Sequence, residues 1–173
     1  MKDWYSGVYK AFIIASVIAF IISTFSTGKV AYGAELAGYS SLIIGVLMIL
    51  VLLFKSLFSG NSDASSITNI LMTTGPFILM LGVIGFILYL MIVYKEAIID
   101  GHVSPNYQTF SNISIILFLI QLYIVYTNIS SDKFTTTGKM SRVTASAIYL
   151  FGTLTLICSL ILYTILKYFR TDG

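Results

Sequence analysis

The sequence predicts an all-α fold, a polytopic transmembrane bundle of about five spanning helices, and three observations predict it. Of 173 residues, 57 % are hydrophobic and 10 % charged, against roughly 25 % charged in an ordinary soluble domain. A soluble domain of this size leaves about 30 % of its unfolded surface in water and needs charged groups to cover it, whereas a bilayer accepts an apolar exterior. Five apolar runs, 10–27, 36–54, 70–94, 108–127 and 143–166, are each long enough at about 1.5 Å per residue to cross about 30 Å of hydrocarbon. The connectors between them are too short to fold alone, so residues 1–173 form a single transmembrane domain.

The first run, AFIIASVIAFIISTFST, follows Lys2 and Lys10 and ends near small residues at Ser26 and Gly28, an outline shared with signal peptides. We read it as a retained spanning helix, because Ala11, Ala15, Ala19 and Ser23 recur at every fourth position. On a helix they make one row of small side chains along which backbones approach closely. The second run offers Ala37, Ser41 and Gly45 as a counterpart. The expectation is that the two rows face each other, or that one faces another subunit.

The third run contains Gly75-Pro76, where proline removes a backbone hydrogen bond from a continuous helix. Either a short interfacial helix ends at Thr74 and Pro76 opens the spanning one, or one helix from about Ala64 kinks at Pro76, which is the reading we favour. Gly101 marks a helix stop. Ser104-Pro105 marks the start of the fourth helix, a capping hydroxyl followed by proline in the first turn. No internal repeat suggests an inverted-repeat transporter.

Trp4, Tyr5, Tyr9, Tyr89, Tyr94, Tyr107, Tyr123, Tyr126, Tyr163, Tyr168 and Phe169 gather near the ends of the runs, as rings that prefer the headgroup level do. Five crossings put Lys2, Lys10, Lys55, Lys133, Lys139 and Arg142 on one side and Lys29, Lys95, Lys167 and Arg170 on the other. That bias predicts a cytoplasmic N-terminus.

Chemistry is sparse. Net charge is +3 without a basic run, so nucleic acid is not an expected partner. The one histidine, His102, lies in a connector and the one cysteine, Cys158, deep in the fifth run, so neither a Cys/His pair nor a metal cluster of familiar spacing arises. No cofactor is expected. The acidic residues Asp3, Glu35, Asp63, Glu96, Asp100, Asp132 and Asp172 are placed near helix ends or in loops, so no ionisable side chain is expected near the membrane midplane, where a transport pathway would want one. Catalysis and transport are both disfavoured on this reading.

Gln121 is the one strongly polar side chain well inside a run. It either hydrogen-bonds across helices, the favoured reading, or lines a pore with Ser111, Ser114 and Asn128. The glycosylation patterns at Asn112 and Asn128 lie in or against the membrane and are coincidental. The 128–142 connector carries Asp132, Lys133, Lys139 and Arg142 among threonines, and either docks a partner or anionic headgroups or is a solvated link.

Two stretches, HVSPNYQTFSNISIILFLIQLYIVYTNI and YTILKYFRTDG, resemble small multi-pass membrane proteins of nucleocytoplasmic large DNA viruses, the algal-virus group especially. Such viruses enclose an internal lipid membrane beneath an icosahedral shell. The resemblance implies a non-enzymatic structural protein of the virion inner membrane, made in host-derived membrane, that organises this membrane or links it to minor capsid proteins. It carries no site residues with it. The expected partners are therefore the lipid bilayer, other virion membrane or capsid proteins, and further copies of the chain. The competing expectations are a small oligomeric channel of viroporin or holin type and an accessory subunit of a cellular membrane complex.

Overall fold

The computed structural model describes residues 2–57, 67–129 and 142–169. They form α1 (Lys2–Thr24), α2 (Gly28–Leu57), α3 (Ile67–Val93), the short α4 (Lys95–Ile99), α5 (Pro105–Ile129) and α6 (Arg142–Tyr168), with no strand among the described residues. All but α4 are long and apolar enough to cross a membrane. The protein is an all-α bundle and an integral membrane protein by the length and composition of those helices.

Helix and apolar run are different quantities, and α2 shows why. Its apolar run begins at 36, yet the helix begins at Gly28, after a turn of only Phe25, Ser26 and Thr27. Gly28 holds φ at 66°, a left-handed backbone that side chains disfavour. Thirty residues make about 45 Å of helix, about 15 Å more than the hydrocarbon needs, so the first turns satisfy their backbone groups by helix and not by lipid depth. Likewise α1 starts at Lys2, before its apolar run.

Helix α3 runs unbroken through Pro76 from Ile67, so one continuous helix holds over the described residues. Tyr94, at φ −105° and ψ 28°, ends the regular helix and lets α4 turn away. Gly101 at φ 74° closes α4, with the His102 N–H donating to the Ala97 carbonyl at 3.0 Å. Ser104 caps α5 by accepting from the Asn106 N–H at 3.3 Å.

Around the bundle α1 packs on α2, α2 on α3, α3 on α6 and α6 on α5, while α5 touches α1 lightly. The centre is filled by Tyr39, Leu42, Phe77, Met80, Ile84 and Phe118, all fully buried. The Tyr39 ring stands edge-on to Phe20 of α1 at 4.9 Å and to Phe118 of α5 at 5.9 Å. Ile14, Ile18, Val51, Ile92, Ile116 and Leu150 point outward, a surface suited to acyl chains. Two of the tyrosines expected at headgroup level, Tyr9 and Tyr107, are instead buried within the protein, because both lie on the inward stripe of their helices.

Candidate functional site

Without water in the hydrocarbon there is little hydrophobic drive between helices, so contacts depend on close packing and on polar bonds. Four helices are joined in a closed circuit by a side-chain hydrogen bond at each boundary. The Tyr32 hydroxyl of α2 donates to the Met91 carbonyl of α3 at 2.6 Å. The Tyr149 hydroxyl of α6 donates to the Leu71 carbonyl of α3 at 2.9 Å. Gln121 Nε2 of α5 donates to the Ile148 carbonyl of α6 at 3.1 Å. The Ser111 hydroxyl of α5 donates to Glu35 Oε1 of α2 at 2.7 Å. The pairs also fix direction: early α2 meets early α5 and late α3, so α2 and α5 run parallel and α3 and α6 run against them.

Glycines open two of these boundaries. A Cβ at Gly75 would collide with the Tyr149 hydroxyl, and one at Gly152 would lie 3.3 Å from Gln121 Nε2 and 2.8 Å from Leu79 Cδ2. Gln121 lies inside α5 and bonds a backbone carbonyl on α6, while its Oε1 is buried without a partner among the described residues.

Glu35, which the sequence places at a helix end, is buried inside the α2 span. It falls seven residues from Leu42, which is midway between Lys29 and Lys55 on the same helix. That is about 10 Å from the midpoint, within the roughly 15 Å half-thickness of the hydrocarbon. The carboxylate is buried, and no ion pair forms at it among the described residues. Tyr39 and Tyr107 are close enough to interact with it electrostatically, and Cys158 lies near Tyr39 and faces Ser114. The Tyr39 hydroxyl is buried with no hydrogen-bond partner among the described residues, and Ser114 Oγ, also buried, has the Cys158 thiol as its neighbour. The detectable signal was phase: once α2 starts at Gly28, Tyr32, Glu35, Tyr39, Leu42, Val46 and Ile49 share one buried stripe.

The small-residue rows are not brought face to face. Ala11, Ala15 and Ala37 are exposed, Ala19 and Ser41 half-buried, and Ser23 and Gly45 buried. The contact of α1 with α2 lies beside the alanine row, along Tyr9, Ile13, Ser16 and Phe20. A Cβ on Gly38 would sit 2.7 Å from Phe20 and one on Gly45 3.3 Å from Ile13, so large side chains of α1 enter glycine notches of α2. Small met large, where the rows expected small to meet small. Of the basic residues proposed for partner or headgroup contact, Arg142 is exposed at the start of α6, and Lys133 and Lys139 lie outside the described residues.

A groove of about 320 Å³ opens between the start of α5 and the end of α6, lined by Ser104, Asn106, Phe110, Ile161, Thr164 and Ile165 with Phe169. It has no titratable side chain. Among the described residues no group of three or more His, Cys, Asp or Glu gathers as a metal would require. No protein family, curated protein or solved structure matches the chain.

Proposed function

We propose that this chain is a non-enzymatic structural protein of a membrane, one that acts by packing and contact. The observation carrying this reading is the hydrogen-bond circuit through α2, α3, α6 and α5, which engages the distinctive polar side chains of the interior in joining helices. Buried hydroxyls elsewhere bond their own helix: Ser16 to the Ile13 carbonyl, Thr155 to Gly152 and Ser159 to Leu156. A hydroxyl held by a carbonyl acceptor is not activated as a nucleophile, which needs a base within reach.

The setting we propose is the internal membrane of a large DNA virus virion, which the protein organises or links to the capsid shell. This setting rests on the resemblance of residues 102–129 and 163–173 alone. Purifying the protein from its native source and identifying what accompanies it tests both parts. Recovery with virion membrane and minor capsid proteins supports the proposal, and recovery with a cellular membrane complex replaces it with an accessory-subunit role.

The buried Glu35 favours one second reading, a small oligomeric channel, because ionisable groups inside spans mark ion pathways in many membrane proteins. Conductance in a reconstituted bilayer that disappears in Glu35→Gln would establish that reading over the structural one.

A further inference from the structure

We infer that the cluster of Glu35, Tyr39, Ser111 and Ser114 is a binding site for one small monovalent metal cation, which acts as a clamp between α2 and α5. Glu35 and Tyr39 are one helical turn apart, as are Ser111 and Ser114, and residues so spaced hold their Cβ atoms about 5–6 Å apart. The two helices run parallel here, and the Ser111–Glu35 bond at 2.7 Å sets their register. Tyr39 is therefore level with the turn of Ser114 and Phe118, consistent with its ring contact to Phe118 at 5.9 Å. Glu35 and Ser111 are thus in contact, and Tyr39 and Ser114 follow them one turn further along the same two parallel helices.

Three features point to a cation. The carboxylate is buried in the span and forms no ion pair among the described residues, and an uncompensated buried charge is expensive. The Tyr39 hydroxyl is 0 % exposed and lacks a hydrogen-bond partner among the described residues, and Ser114 Oγ, also 0 % exposed, faces only the weakly accepting Cys158 thiol, although buried polar groups are nearly always satisfied. A proton on Glu35 would answer the first feature and leave the Tyr39 oxygen orphaned, whereas a metal ion binds hydroxyl and carboxylate oxygens together. Finally, one carboxylate balances one positive charge. A divalent ion would leave a net charge buried in low dielectric.

The clamp adds a ligand to the structural reading and is tested on the purified protein alone, so its failure and the failure of that reading are separable. The probes are sodium, potassium and choline chlorides at equal ionic strength, with binding of radioactive sodium and the thermal midpoint as readouts. Binding of about one sodium or potassium ion per chain is expected, with a midpoint about 5 °C or more above that in choline at a hundredfold excess over half-saturation. Glu35→Gln keeps the shape and the Ser111 contact and should abolish both effects. Tyr39→Phe should remove most of the cation-dependent rise while leaving the midpoint in choline equal or higher, because it deletes an orphaned hydroxyl. Midpoints identical in all three salts without sodium or potassium binding, or a response to pH alone, would overturn the site. So would an unchanged cation response in Tyr39→Phe, which does not depend on Glu35→Gln folding.

Discussion

Helix α1 and the ring formed by α2, α3, α5 and α6 differ in how deeply they are built into the protein. Every boundary of the ring carries a hydrogen bond from one helix to the next, and at α1 Phe20 and Ile13 enter the notches at Gly38 and Gly45. The burial follows the same division: 22 % of the α1 span is buried within the protein, against 39–44 % of the other four. Polar bonds need both partners in place and select one arrangement, while knob-in-notch contacts gain only dispersion, which depends steeply on fit. The ring is therefore the unit that specifies the fold, and α1 is an outer helix clipped to it.

The largest test of that division is Gly152→Leu. The new side chain would enter the space of Leu79 and Gln121, where α3, α5 and α6 meet, and overpacking of this kind costs about 3 kcal/mol at the upper end. A fall of about 10 °C in the melting midpoint is expected. Cys158, the single cysteine and buried, reports it directly through a thiol-reactive dye. A midpoint within a degree or two of the parent would mean that the ring is looser than its contacts indicate.

Gly38→Val tests the other side of the comparison. It obstructs Phe20 alone, so backbone hydrogen exchange should accelerate in α1 while α2, α3, α5 and α6 keep their protection, with a cost of about 1–2 kcal/mol. Cys158 should remain unreactive at temperatures where α1 is already exchanging. Loss of protection throughout the bundle would make α1 an integral member of one cooperative unit.

Smaller effects are expected from single bonds of the circuit. Tyr149→Phe removes the donor to Leu71 and should cost about 0.6 kcal/mol, the usual worth of such a bond between spanning helices. Gln121→Leu should cost less, because it also removes the buried Oε1 that has no partner. The order of the two costs, read by the same dye assay, is the result that matters. A larger loss in Gln121→Leu would show that Oε1 is satisfied in the membrane, by an internal water for example.

The five spanning helices were open to sequence reasoning, the division between α1 and the ring was not, and the reasons are physical. Five apolar runs located the five spanning helices because lipid demands about twenty apolar residues per crossing. Hydropathy could not locate the start of α2, since a helix satisfies its own backbone beyond the hydrocarbon as well as within it. Glu35 was consequently assigned to a connector. Gln121 was visible because it interrupts an apolar run. Tyr32 and Tyr149 were not, since a tyrosine that bonds a distant carbonyl reads the same as one resting at the headgroups. The α1–α2 contact was misplaced by pairing small with small, although a glycine notch accepts a large side chain equally well.

The alanine row left exposed by that misplacement supplies the smallest effect on the fold and the sharpest one on assembly. Ala11 and Ala15 are exposed, so Ala15→Leu should change stability by less than about 0.5 kcal/mol, as substitutions at exposed positions do. The same substitution fills a shallow face along which a second spanning helix would approach most closely. Crosslinking in native membranes should then show fewer linked copies for Ala15→Leu, with Cys158 still protected. Equal crosslinking would assign this face to lipid, and α1 would owe its small side chains to nothing beyond its own helix.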